Sequence, residues 1–182
     1  MYQVLLSKIA KILAKAQIPY MVIGGQAVLV YGEPRMTRDI DITLDADIDA
    51  LDKLLRALEG TSFRPLPSDV REFTKSTRVL PLQDDQTKIR VDLIFSCSSY
   101  EHLAIERSRP LNFNGVDVNF ATPEDIIIHK LIAGRPRDIE DAGSVALRQQ
   151  GLDDAYVEKW LREFQKTLGQ DYVALFRSLK KK

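Results

Sequence analysis

The chain is short of the residues that staple small domains together. Among its 182 residues one is cysteine, Cys97, and two are histidine. A single thiol excludes an internal disulfide and a cysteine-built zinc cage, so a reducing cytoplasm is the expected compartment. No apolar run reaches the roughly 20 residues that a membrane helix needs, so no membrane partner is expected. The opening MYQVLLSKIAKILAKA lacks a secretory layout, its lysines being spread as on the polar face of a helix. There is no surplus of either charge: Lys+Arg and Asp+Glu both number 26. That balance argues against a general nucleic-acid coat, which needs basic excess, and leaves only a local patch open. Aromatics make up 8%, with no aromatic–basic stripe for stacking single-stranded bases. Internal repeats and low-complexity linkers are also missing. What is there is a 45% hydrophobic chain, enough for one sizeable core without staples.

Leu5, Leu6, Ile9, Ile12, Leu13 and Ala16 recur at helical spacing, predicting an amphipathic helix that ends before Pro19. Tyr20 to Ile23 reads as a short buried strand, terminated by Gly24-Gly25, with a short helix starting just beyond and a loop over Gly32 to Thr37. Arg38 to Leu44 alternates, with Asp39, Asp41 and Thr43 on one face and Ile40, Ile42 and Leu44 on the other. A second amphipathic helix follows from Ile48, capped by Asp45 or Asp47. The stretch from Gly60 to Lys75 gives no clear pattern. TRVLPL and KIRVDLIF read as two strands joined across QDDQ, followed by a short helix near Tyr100 to Arg107. Asn114-Gly115, between PLNF and VDVNF, predicts a type I′ hairpin. Thr122-Pro-Glu-Asp125 announces a helix that stops at Gly134, and Asp138, Asp153 and Asp171 open three more. Strands cluster before residue 121 and helices after it. The expected class is therefore α/β (α+β): a mixed β-sheet core over 1–121 flanked by helices, with a C-terminal helical region over 122–182 packed on it.

Three aspartates carry the chemistry. Carboxylates at i and i+2 of a strand project to one side, about 7 Å apart at ~3.3 Å per residue. They repel unless a cation sits between them, and magnesium takes oxygen ligands, commonly one or two carboxylates plus substrate phosphates. Alone, the Asp39–Asp41 pair reads equally as a solvated strand. Gly24-Gly25, between a strand and a helix, adds a place where backbone N–H groups can approach phosphate, although by itself it is also a tight turn. Asp92 lies among apolar neighbours, so it needs a cation or a proton to accept; a salt bridge to Arg90 or Arg78 would also meet that need. Asp45 to Asp49 begins like a calcium loop, but Ala50 stands at the required glycine and Arg56 at the twelfth position. His102 and His129 receive no catalytic role.

The block IGGQAVLVYGEPRMTRDIDI, Ile23 to Ile42, with VDLI around Asp92, resembles the nucleotidyltransferase fold of the DNA polymerase β-like superfamily. The helical block from Thr122 to Leu147 further resembles the AbiEii/AbiGii toxin-like branch, so the likeness spans about residues 20 to 147. The resemblance implies that Asp39, Asp41 and Asp92 are catalytic and metal-binding, with Mg²⁺ or Mn²⁺ as cofactor. It implies nucleotide-binding roles for Gly24, Gly25, Lys130 and Asp138. On its own residues Lys130 reads equally as a surface lysine, and Arg135, Arg137 and Asp138 as local pairing. The chain departs from the superfamily in having Gly25 where a serine is frequent, which removes one hydroxyl contact to phosphate. The expected activity is transfer of a nucleoside monophosphate from an NTP to an acceptor hydroxyl on RNA such as tRNA, a protein or a small molecule. An antitoxin-like partner chain fits the same resemblance. The alternative is a nucleotide-binding or regulatory module of this fold with little catalysis.

Overall fold

The alternating segments before residue 121 assemble into one seven-stranded mixed sheet of order β3-β4-β5-β2-β1-β7-β6. The structure, a computed structural model, describes residues 1–96 and 98–180. Cys97, on which the thiol reading depends, and Lys181 and Lys182 lie outside the described residues. The strands are β1 (Tyr20–Ile23), β2 (Asp39–Leu44), β3 (Phe63–Pro65), β4 (Val79–Asp84), β5 (Arg90–Phe95), β6 (Arg109–Phe113) and β7 (Val116–Phe120). β2 runs parallel to β5 and antiparallel to β1, while β4 and β5 form an antiparallel pair. Alternation decides which face is core: Ile40, Ile42, Leu44, Val91 and Leu93 are all fully buried. The opposite face of β2 and β5 carries Asp39, Asp41, Arg90 and Asp92, each left at least partly accessible.

Residues 1–26 and 37–121 form one unit, built from this sheet with its helices α1 (Tyr2–Lys15), α3 (Leu51–Leu58), α4 (Val70–Thr77) and α5 (Ser99–Glu106). α1 buries Leu5, Leu6, Ile9 and Leu13 and packs on β6, β7 and α3. Each such side chain contributes roughly 1.5–3 kcal/mol of apolar burial. Asp47 caps a 3₁₀ turn (Ile48–Ala50) that leads into α3. The hairpin at Asn114-Gly115 has both residues at positive φ, 55° and 79°, as a type I′ turn demands.

Three local readings change. β4 continues through Gln83 and Asp84, which the sequence placed in the turn. Asp84 is wholly buried because its carboxylate accepts from the Thr87 amide (2.8 Å), the Thr87 hydroxyl (2.9 Å) and the Ser62 hydroxyl. The patternless stretch after Gly60 holds β3 and α4, the latter capped by Asp69 accepting from the Glu72 amide at 3.0 Å. The Gly-Gly pair opens helix α2 (Gly24–Tyr31) instead of preceding it.

The second unit comprises residues 27–36 and 122–180 among those described, so α2 runs from one unit into the other. Its other helices are α6 (Pro123–Ala133), α7 (Pro136–Arg148), α8 (Asp154–Leu168) and α9 (Tyr172–Leu179). α6 begins with Thr122 as cap and Pro123 in its first turn and ends at Gly134 with φ 67°. Residues 27–36 belong here because they are tied to α7. The Glu33 amide donates to Ser144 Oγ at 3.2 Å, and Gln149 Nε2 donates to the Tyr31 carbonyl at 2.7 Å.

Candidate active site

Within the sheet unit, parallel register sets Asp41 directly beside Asp92 and Asp39 beside Arg90. Side chains paired in register share a face, as do residues two apart on a strand. Asp39, Asp41 and Asp92 therefore lie on one side of the sheet, the side opposite the buried Ile40, Ile42, Val91 and Leu93. The sequence alone cannot fix this neighbourhood, since β2 and β5 meet only through a long crossover.

Arg90 is the local cation. Its Nε donates to Asp92 Oδ1 at 2.7 Å, the ion pair that the sequence left open as an alternative role for Asp92. That hydrogen bond raises the guanidinium above its ordinary pKa against a smaller opposing effect of burial; the charges of Asp92, Asp39 and Asp41 add to it. One arginine thus feels all three carboxylates. Its side chain is 51% exposed and that of Asp92 15%, so the pairing is partly screened by water.

The glycines have a steric reason. A Cβ on Gly24, whose φ is 62°, would stand 2.0 Å from Asp41 Oδ2. A Cβ on Gly25 would stand 2.3 Å from Thr37 Oγ1. The start of α2 is thus pressed against the acidic strand, and helix starts present N–H groups suited to anions. Thr37, which the sequence reading did not single out, donates from Oγ1 to Asp39 Oδ1 at 3.1 Å. The Tyr2 hydroxyl donates to the Thr37 carbonyl at 2.8 Å and fastens this segment to α1. Gln26 Nε2 donates to the Asp39 carbonyl at 3.4 Å.

Among the described residues no group of three or more His, Cys, Asp or Glu side chains is placed to hold a metal ion by itself. Oxygen donors of the Asp39–Asp41–Asp92 kind nevertheless match magnesium, which seldom uses an all-protein cage and completes its shell with phosphate and water. The donor chemistry fits, with Asp39 and Asp41 as the residues that would hold such an ion.

Lys130 and Asp138 lie in the helical unit and bind each other. Lys130 Nζ donates to Asp138 Oδ1 at 2.7 Å and sits 2.9 Å from Asp141 Oδ2. Lys130 is not a surface lysine: its side chain is 9% exposed, and those of the two aspartates 4%. Arg135 Nε donates to Asp138 at 2.6 Å, and Arg35 binds Asp141 through two nitrogens at 2.6 and 2.7 Å. For both aspartates burial pushes the carboxyl pKa up. For Asp138 hydrogen bonds from Arg135 and Lys130 bring it below the ordinary value; for Asp141 those from Arg35 and Lys130 do the same. Asp141 and Arg35 escaped the sequence reading. The available signal was Asp141 at i+3 from Asp138, on the same helix face.

The sequence profile described as "Nucleotidyltransferase of unknown function (DUF6036)" matches residues 3–172. No curated protein matches. Among solved structures, an antigenic nucleotidyltransferase-like protein from Paracoccidioides brasiliensis superposes with TM-score 0.58 at 18% identity, over 96% of this chain and 91% of that one. The antibiotic-resistance factor ANT(2'')-Ia, in solution, gives TM-score 0.57 at 15% identity over 92% of each chain. The same factor in complex with adenylyl-2''-tobramycin gives 0.51 at 14%, over 99% of this chain and 97% of that one. At such identities these likenesses speak for the fold, and that fold is the nucleotidyltransferase one. No described helix is long and apolar enough to cross a membrane. With the profile running nearly end to end, the chain belongs to this family of nucleotidyltransferases.

Proposed function

We propose that the protein transfers a nucleoside monophosphate from an NTP to the hydroxyl of an acceptor, at the acidic face of its sheet. The observation that carries this reading is the Asp41–Asp92 register pair, with Asp39 two residues along and Gly24 against Asp41. Asp39 and Asp41 are assigned to a magnesium or manganese ion, which would supply charge neutralisation for the triphosphate. The backbone N–H groups of Gly24 and Gly25 receive phosphate oxygens. Asp92, held through Oδ1 by Arg90, takes the acceptor's proton on its second oxygen. The acceptor oxygen forms a bond to the α-phosphorus as the bond to pyrophosphate breaks. Chemistry of this kind depends mainly on positioning and charge stabilisation. The assignment of Lys130 and Asp138 to the nucleotide phosphates rests on the family resemblance.

The Arg90–Asp92 ion pair favours a second reading, a nucleotide-binding module with little turnover, because one oxygen of that carboxylate is already engaged by the guanidinium. Incubation with each labelled NTP, Mg²⁺ and cell extract separates the two. The transferase reading expects pyrophosphate release and a labelled acceptor. Nucleotide binding without either outcome supports the module.

A further inference from the structure

The acid-bearing face of the sheet extends beyond Asp92. Pro81 lies opposite Asp92 in the antiparallel β4–β5 register, so both project to the same side. There a cleft of about 620 Å³ opens, to which the sheet contributes Pro81 and Arg90. The segment before α4 contributes Leu66 and Pro67, and α4 itself contributes Asp69, Glu72 and Phe73. The Leu66 amide donates to the Pro81 carbonyl at 3.0 Å, which fixes this wall to the strand that neighbours Asp92.

We infer that this cleft seats the acceptor, and that the acceptor is a small alcohol bearing a protonated amine and an apolar body. This inference rests on the proposed transfer reaction and adds its substrate class. Leu66 and Phe73 remain 47% and 39% exposed, apolar surface gathered along one open cleft. Asp69 and Glu72 pair with no cationic side chain among the described residues. Asp69 only caps α4, and the one cation of the cleft, Arg90, is held by Asp92. The cleft therefore offers negative charge beside apolar contact. That combination attracts an ammonium group and repels a phosphate-rich polymer such as RNA. An acceptor lying over Pro81 brings its hydroxyl to Asp92. There the O–H proton passes to the Asp92 carboxylate, the oxygen bonds to the α-phosphorus, and pyrophosphate departs with the electron pair of the broken P–O bond.

The test uses the full chain and three probes of one shape: phenylalaninol, neutral 3-phenylpropan-1-ol and anionic phenyllactate. Binding is followed by ligand-observed NMR, with NTP·Mg²⁺ affinity measured in parallel by calorimetry. The wild type should prefer the amine over the neutral probe, and exclude the anion. Asp69→Asn combined with Glu72→Gln should weaken amine binding roughly tenfold and erase the preference. NTP·Mg²⁺ affinity should stay unchanged, and Asn at position 69 preserves the helix cap. Phe73→Ala should weaken amine and neutral probes alike. If the wild type binds NTP·Mg²⁺ but shows no preference for the amine, or if the double variant keeps that preference, the cleft inference is overturned while the transferase reading stands. If the amine binds but no NTP does, the transferase reading fails and takes the acceptor role of the cleft with it.

Discussion

The two units handle charge in opposite ways. On the sheet face, Arg90 binds Asp92 and feels the charges of Asp39 and Asp41, and all three carboxylates stay partly accessible. In the helical unit, Asp138 and Asp141 are buried and matched by Lys130, Arg35 and Arg135, so both acids are answered. An accessible excess of one sign attracts an added counter-ion. A buried matched network holds its own members in place and is costly to break from one side. The first arrangement suits a site that must take up a cation and a triphosphate.

The largest effect should come from breaking the matched network. Lys130→Met leaves two buried aspartates short of a partner and should cost about 3 kcal/mol or more in urea unfolding. Arg90→Gln, made on the exposed face, should cost less than about 1 kcal/mol in the same measurement. Equal costs would erase the contrast between the units. Next in size is Gly24→Ala, which forces a side chain into a left-handed backbone and onto Asp41. It should destabilise by about 1–3 kcal/mol and weaken NTP·Mg²⁺ binding together. A stable variant with intact nucleotide affinity would show that the close approach is unneeded.

The smallest effect sharpens the comparison through pH. Asp138 and Asp141 have lowered carboxyl values in the folded chain, so their stabilisation is fully present above the unfolded value of about 3.9. It is lost as pH falls through the lowered values, because the unfolded chain then binds more protons. Unfolding midpoints measured between pH 5 and pH 2 should drop, and Asp141→Asn should flatten that drop.

Much of this was legible in residue order. The alternation of Asp39, Asp41 and Thr43 with Ile40, Ile42 and Leu44 reports an acid face directly, and Thr122 to Asp125 reports a helix start. Three things were not. The register of Asp41 with Asp92 joins distant segments, and no local period encodes which strand lies beside which. The first glycine of the pair starts α2 because its positive φ and the absent side chain let the helix meet Asp41; sequence shows a glycine, not what it touches. α4 and its cleft were hidden because β3 has three residues and α4 buries only Thr74, leaving no apolar stripe to read. A cap was there, Asp69 with Glu72 three residues on, and it was the one usable signal. The Lys130 network escaped for a related reason: Arg35 reaches α7 from a loop, and long-range pairing of charges leaves no spacing rule.

The most direct measurement is pyrophosphate release from NTP and Mg²⁺ by the chain carrying Asp39→Asn and Asp41→Asn together. Removing both charges should abolish release while leaving the unfolding midpoint at or above that of the wild type, since repulsion on the face is relieved. Release at the wild-type rate from a folded double variant would contradict the placement of the reaction on this sheet.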